Sequence, residues 1–456
     1  MNLDRRELIH GKANDKMVMA LGTFRLAILQ TGPSRRLREA FLWGPFNYNL
    51  QKRWRKPVDS ARTRLENRTR DLRLDKLVDQ LKKLNLVLSL HELMSNQRKG
   101  YASVQLLSKW KYEVGLNIPV GAFLSKYPHI FKIYTHPVKK NVCCEVTQKM
   151  KDLIEKEAMA VSEAEVATVR RLKKLLMIST DGSLNLHALW LIRKELGLPD
   201  DFRNSVLPNY PGDFTIVSPD TLQLVSKDES LAEAEVEKWR AKEYAEKWLS
   251  EFETKYAFPV HFPTGFKIEK GSREKLKNWQ RLPYLKPYEK KGVNRVGNVE
   301  RFEKRAVGVL HEFLSLMVEK MIPVERVSHF RRDFSMEVNV RELILKHPGI
   351  FYMSTKGGTQ TVFLREAYRR GCLVEPNPVY EARRNMLELV LLGRRNTNSV
   401  GCVQELAERC NEGSNELFAG TCDGDWAVSI FEGRDERSPT ADVSDMEVQS
   451  DEEDQD

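Results

Sequence analysis

Cysteine is scarce in this chain: six in 456 residues, at positions 143, 144, 372, 402, 410 and 422, with no CxxC among them. That density excludes a disulfide-stapled secreted scaffold. Nine histidines at no zinc-finger spacing leave no structural zinc site in view. No run approaches the ~18 uninterrupted apolar residues of a bilayer span. The best stretch, Met17 to Leu29, is short and carries Arg25, so membrane insertion is not expected. Catalytic signatures are missing as well. GxxxxGK followed by Ser or Thr, HExxH and GxSxG do not occur. No cofactor and no metal is implied, and the expectation is a protein that is not an enzyme.

What the chain does have is charge and enough apolar mass for real cores. Hydrophobic residues make up 41% and charged residues 30%. At roughly 100–200 residues per domain, two to four structural units are expected. The net charge of +10 conceals an asymmetry. Asp423 to Asp456 holds 13 acidic and 2 basic residues, which leaves 72 basic against 51 acidic residues, or +21, for residues 1–422. A body this basic attracts polyanions, and an acidic tail can compete with them.

The N-terminal region is Arg-rich and acid-poor. Met17 to Trp43 carries four arginines and a single acid, Glu39, the pattern of an organelle-import segment. Met1 to Lys16, with three acids, fits such a signal poorly. Ser34 is the sole serine between Met17 and Val58, which favours a mitochondrial over a Ser-rich plastid presequence.

The middle contains an internal repeat, the first feature to seek in a long chain. KYPHIFKIY (126–134), NYPGDFTIV (209–217) and KHPGIFYMS (346–354) share a proline, a phenylalanine three residues later and β-prone neighbours. Each copy follows helical sequence. A helix starts near Leu74, with Leu77, Val78, Leu81, Leu84 and Leu88 at helical spacing. Pro119 opens a short helix to Lys126. Ser162 and Glu165 form a capping box for a helix carrying Val166, Val169, Leu172 and Leu176. Leu184 to Leu196 forms the next helix, stopped by Gly197 and Pro199. Val309 to Met321 is periodic, and Asn339 caps a helix ending at His347-Pro348. Trp110 and Trp190 read as core residues.

A second β-prone run follows each copy: NVCCEV (141–146), LQLV (222–225) and TVFL (361–364), reached through turns such as Ser218-Pro219-Asp220 and Lys356-Gly357-Gly358. Helices followed by a hairpin predict an α+β, mainly helical fold of repeated winged-helix-like modules. Between the second and third lie a charged helix, Glu229 to Lys255, and a linker. The last helix is Tyr380 to Leu392.

The candidate binding residues follow from charge and aromatic content. His261 to Arg305 has 13 Lys/Arg against 5 Asp/Glu, interleaved with aromatics. Cations neutralise phosphates, and rings offer faces to unstacked bases. Lys275, Lys277, Trp279, Arg281, Tyr284, Lys286 and Tyr288 are the candidates there, although a proline-punctuated strap packing its aromatics inward reads equally well. Arg64, Arg68, Arg70 and Arg73 lead into or line the polar side of the first helix. Lys139, Lys140 and Lys356 lie at hairpin turns.

The blocks RLENRTRDLRLDKL (64–77), YPHIF with THPVKKNVCCEV, AFPVHFPTGFKIEKG (257–271), WQRLPYLKPYEK (279–290) and HPGIFYMSTKGGTQTVFLREAY (347–368), in this order, resemble the plant organelle RNA recognition (PORR) domain family. The resemblance runs from about residue 57 to 390. It implies import into mitochondria or chloroplasts, RNA binding, and promotion of group II intron splicing beside other organellar splicing factors. It transfers no catalytic residue and no residue-level RNA motif.

The partition expected is a targeting or disordered segment at 1–56 and an RNA-binding region at 57–390. That region holds modules near 74–150, 160–228 and 299–370, with the linker at 257–298. An acidic, largely disordered tail occupies 391–456. The partners expected are single-stranded or structured intron RNA and other splicing factors, in the mitochondrion with the chloroplast as alternative. Three rivals are a DNA-binding transcription or nucleoid factor, a thiol hydrolase using Cys143 or Cys144 with His129 or His136, and a scaffold recruiting basic partners through its tail.

Overall fold

The three Pro-x-x-Phe copies share one backbone conformation. The residue before each proline sits at φ −124°, ψ 65° (Tyr127), φ −125°, ψ 56° (Tyr210) and φ −118°, ψ 60° (His347). A residue preceding proline is kept out of the α region, so each helix ends there. The phenylalanine N–H then reaches back to that residue's carbonyl: Phe131 to Tyr127 at 3.0 Å, Phe214 to Tyr210 at 3.1 Å and Phe351 to His347 at 3.0 Å. Each phenylalanine is buried and starts a strand.

The computed structural model describes residues 69–97, 100–247, 254–262, 266, 271–290 and 298–393. The import-like segment, Arg64, Arg68 and the acidic tail lie outside the described residues. A helix α1 (Leu72–Ser95) leads into the first unit, which comprises β1 (Tyr101–Ser103), α2 (Val104–Lys109), α3 (Lys111–Val114), α4 (Val120–Lys126), β2 (Phe131–Thr135) and β3 (Val142–Val146). Helices α5 (Gln148–Glu163) and α6 (Glu165–Ile178) follow. The second unit comprises β4 (Ser183–Asn185), α7 (Leu186–Leu191), α8 (Arg193–Leu196), α9 (Phe202–Ser205), β5 (Phe214–Ser218) and β6 (Thr221–Leu224). After α10 (Glu235–Lys247), α11 (Ser272–Arg281) and α12 (Val299–Leu316) comes the third. It comprises β7 (Met321–Pro323), α13 (Val324–Ser328), α14 (Val340–Lys346), β8 (Phe351–Ser354) and β9 (Thr361–Leu364). The short pair β10 (Tyr368–Arg369) and β11 (Cys372–Leu373) precedes α15 (Pro378–Leu392).

The three sheets are antiparallel with the same order, β1-β3-β2, β4-β6-β5 and β7-β9-β8. Short strand, helices and hairpin make each unit a winged helix, and the mainly helical α+β reading holds. The sequence reading gave two strands per unit. The third is a three-residue strand that becomes visible only through its pairing, as in Ala102 opposite Cys144.

Several boundaries differ from expectation. Ser162 lies inside α5, whose chain turns into α6 at Ala164, so no capping box forms, and Val166 is exposed. Leu184 belongs to β4, and Asn185 caps the following helix by accepting from the His187 and Ala188 N–H groups. The helix assigned to Val309–Met321 begins ten residues earlier and ends at Leu316, with Met321 already in β7. The charged helix splits into a 3-10 turn, Glu229–Leu231, and α10. Gly197 does stop α8 in the left-handed region at φ 81°, and Asn339 caps α14.

The units do not stand apart. The second and third share one continuous core, whose spine is α12, buried from Lys304 to Leu316. Each large apolar side chain removed from water there, such as Leu310, Phe313 or Leu314, contributes roughly 1.5–3 kcal/mol. The first unit has its own core, completed by Met386, Leu387 and Val390 of α15. α1 spans two bodies: Leu84, Val87, Leu90 and Met94 pack in the first core, while Leu74 and Val78 cover Tyr352 and Phe363 on the third sheet. Arg383 of α15 fastens all three, donating to Glu157 at 2.6 Å, Glu319 at 3.2 Å and the Lys194 carbonyl at 3.0 Å. Burial opposes its charge, but Glu319 and Glu157 outweigh it and raise its pKa.

Candidate nucleic-acid interface

Over residues 271–290 the basic aromatic linker folds as a strap, and its Trp279, Tyr284 and Tyr288 turn inward. Tyr284 is buried; its hydroxyl accepts from Arg240 Nη2 at 2.8 Å, and its ring lies against Gly308. A Cβ at Gly308 would fall 2.9 Å from that ring, so glycine is what lets strap and helix approach. Tyr288 donates to Glu312 Oε1 at 2.6 Å. Burial, and then the Glu312 carboxylate, raise the Tyr288 pKa. Trp279 packs on the shared core between Phe258 and His347, with ring centroids 5.7 and 4.7 Å away. The expectation that Tyr284 offers a face to a base is therefore corrected: the ring has left the surface to fill the core. Trp279 and Tyr288, partly buried, have most of their area committed to packing.

Lys304 explains why the strap holds this path. It is fully buried and donates to three carbonyls, Trp279 at 2.6 Å, Gln280 at 2.9 Å and Leu282 at 2.8 Å, at the C-terminal end of α11. Its Nζ lies 4.8 Å from the Trp279 ring centroid and 5.5 Å from that of Tyr284. Burial, then Arg240, push its pKa down to about 6. Against that, three acceptors call for three N–H donors, which only the ammonium supplies, and a helix C-terminus and ring faces also favour a cation. The geometry describes the charged form.

Glu312, also fully buried, accepts from Tyr288, from Lys174 Nζ at 2.9 Å and from the Glu235 backbone N–H at 2.7 Å. The carboxylate thus caps the start of α10 while joining strap, α6 and α12.

The candidate cations are divided by the fold. Lys275 is exposed, and Lys277 and Arg281 are partly so, along α11. Lys286 pairs with Glu237 at 3.1 Å. Arg70 pairs with Asp75 at 2.7 Å. Asp75 also accepts from Ser354 at 2.6 Å and Tyr352 at 2.9 Å, tying α1 to β8. Burial works against its ionisation, but those bonds outweigh it and lower its pKa. Arg73 is exposed on α1. Lys356 sits in a turn pressed on α1: Gly357 has φ 82°, and a Cβ there would meet Val78 at 2.8 Å. That third wing tip is packed, whereas the first, with Lys139 and Lys140 exposed, faces solvent.

Two further expectations change. Trp190 is 45% exposed rather than core, with Arg193 stacked 4.0 Å over its ring and His187 parallel to it at 6.2 Å. Cys144 lies in the first core with no exposed area, and burial pushes its thiol up to about 12. A thiol held protonated at neutral pH is no nucleophile. Among the described residues, no helix is long and apolar enough to cross a membrane.

Three winged-helix units on a strongly basic chain, one with an open cationic wing, define a protein of the polyanion-binding class. The comparisons narrow this. The model described as the plant organelle RNA recognition domain matches residues 69–395, and the chain belongs to that family of organellar RNA-binding proteins. It is 39% identical over 356 residues to Protein ROOT PRIMORDIUM DEFECTIVE 1 of Arabidopsis thaliana, covering 75% of this chain and 87% of that one. It is 31% identical to the chloroplastic Protein WHAT'S THIS FACTOR 1 homolog of Oryza sativa subsp. japonica, over 78% of this chain and 71% of the other. Identity to the mitochondrial Protein WHAT'S THIS FACTOR 9 of Arabidopsis thaliana is 28%, over 69% and 83%. No solved structure matches the chain.

Proposed function

We propose that the chain promotes splicing of group II introns in a plant organelle, with the mitochondrion favoured by its Arg-rich, Ser-poor N-terminal composition. It acts without chemistry of its own. Unpaired intron segments lie on its basic surfaces and are held in a fold in which the RNA performs transesterification beside other splicing factors. The observation that carries this reading is the open, lysine-tipped wing of the first unit on a body of net charge +21. Of the candidate contacts, the solvent-facing Arg73, Lys139, Lys140 and Lys275 supply phosphate neutralisation, with Lys277 and Arg281 alongside.

Duplex DNA fits less well. The helix leading into a wing would have to lie in a groove, and α9 has four residues, little more than one turn. On α14 the terminal Lys346 is engaged by Glu303 at 2.9 Å. On α4 the exposed side chains are small apart from Lys126.

The test is binding of the purified chain to single-stranded RNA, double-stranded RNA and duplex DNA at low and near-physiological salt. Contacts to phosphate alone give affinity that collapses with salt and ignores the type of nucleic acid. Retained preference for single-stranded or intron RNA supports the reading. Preference for duplex DNA, or no binding, overturns it. Joint charge reversal at Lys275, Lys277 and Arg281 weakens binding in a folded protein if the strap contributes.

A further inference from the structure

The three sheets have equivalent outer faces with different fates. In the third, the row Met321, Phe363 and Tyr352 is apolar and lies under Leu74 and Val78 of α1. In the second, the corresponding row Ser183, Gln223 and Thr215 is polar. In the first, the row is Tyr101, Glu145 and Lys132, with Tyr134 on the same face two residues on, opposite Cys143. The Lys132 side chain is 67% exposed there, Tyr101, Glu145 and Tyr134 are partly exposed, and Cys143 is buried.

On that face Tyr101, Tyr134 and His136, each partly exposed, form an aromatic cluster beside the exposed wing turn. The Tyr101 ring meets Tyr134 edge-on at 6.3 Å and 64°, and meets His136 at 5.8 Å and 42°. In an edge-on pair the rim of one ring rests on the face of the other, so each ring keeps one face clear of its partner. The cluster is fixed by the turn beneath it. His136 Nδ1 accepts from the Val138 and Lys139 N–H groups, both at 3.2 Å. Its proton therefore sits on Nε2 in the neutral ring, and Nε2–H donates to the Tyr101 hydroxyl at 3.2 Å. Lys140, in the left-handed region at φ 55°, tightens the turn, and its carbonyl acceptor is His136 at 2.9 Å. Lys139 and Lys140 stand exposed beside the rings, with no carboxylate partner among the described residues.

We infer that the outer face of the first sheet is a single-stranded RNA subsite. It takes an unpaired base on the Tyr101–Tyr134 rings while Lys139 and Lys140 hold the flanking phosphates. This rests on the RNA-binding reading above and gives it a place. Rings supply sequence-tolerant stacking, and exposed ammonium groups supply the counter-charge. Glu145 on the same face is neutralised by Lys132 at 3.2 Å. The Trp190 stack is the competing platform, but Arg193 already covers that ring and is itself paired with Asp200 at 2.6 Å.

The experiment uses the full chain and an oligouridine carrying 4-thiouridine. Photocrosslinks mapped by mass spectrometry on the unaltered protein fall within residues 131–141 or at Tyr101. The double variant Tyr101→Leu/Tyr134→Leu weakens binding about tenfold, and Tyr101→Phe/Tyr134→Phe stays within about twofold, because a phenyl ring still stacks. Trp190→Leu leaves affinity unchanged. Crosslinks confined to the strap, or a folded leucine double variant that binds like the unaltered chain, overturn the subsite while RNA binding itself stands. Failure of the unaltered chain to bind any RNA overturns both.

Discussion

The Tyr288 hydroxyl donates to the fully buried carboxylate of Glu312 at 2.6 Å, joining the strap to the spine of the shared core. Lys174 reaches the same oxygen at 2.9 Å, and its Nζ lies 5.6 Å from the Tyr288 ring centroid. A residue that composition alone offers to RNA is thus committed to holding three segments together.

Tyr288→Phe keeps the ring and removes only the donor. A hydrogen bond to a charged group is worth about 1.5–3 kcal/mol, so urea denaturation should show a loss of that order with RNA affinity unchanged. Unaltered stability would mean that the bond contributes nothing net.

Arg383 bears on whether the units unfold as one. Methionine there preserves much of the stem but abandons Glu157 and Glu319, which are 21% and 13% exposed. Removing one partner from a mostly buried ionic network costs about 3–5 kcal/mol. Arg383→Met should lower the melting temperature and split the thermal transition, because the first unit has a core of its own while the other two share one. A single transition displaced by less than a degree or so would deny the residue this role.

The parts legible in sequence are those governed by local chemistry. Proline acts on the residue before it, so the three Pro-x-x-Phe turns and the helix ends they impose could be read directly. Gly197 and Asn339 announced a stop and a start for the same reason. The three-residue strands could not be read, because Tyr101–Ser103 becomes a strand only by pairing with residues some forty positions later. Trp279, Tyr284 and Tyr288 were ambiguous in principle: an RNA platform and an inward strap need the same residue types. Lys304, some twenty residues downstream, decides between them. Tyr101 and Tyr134 carried no signal in sequence, since their meeting depends on strand register.

The cysteines separate chemistry from packing. With its thiol pushed up to about 12, Cys144 should resist iodoacetamide in the folded protein and react once denatured, as followed by mass spectrometry of the 141–146 peptide. Cys372 is partly exposed and should be modified first among the cysteines of the described residues. Rapid alkylation of Cys144 under native conditions would contradict its buried, protonated state.

Glu303 gives the fold an acid-sensitive clasp. Its carboxylate faces Lys346 at 2.9 Å and His347 at 3.5 Å, at the end of α14 where the third Pro-x-x-Phe turn begins. Hydrogen bonding from His347, opposed by burial and reinforced by Lys346, lowers its pKa to about 2 from an ordinary 4.5. A carboxylate with a depressed folded pKa contributes stability that is fully present above the unfolded value and is lost as pH falls through the folded one. The window is therefore from about 4.5 down to about 2. Glu303→Gln should cost on the order of 2 kcal/mol at neutral pH, a figure that allows for the carboxylate being 23% exposed. Because the unaltered protein loses the same contribution on acidification, the two stability curves should converge as pH approaches about 2. Urea midpoints compared across that range test it. Parallel curves would show that the glutamine variant acts through packing rather than through the charge.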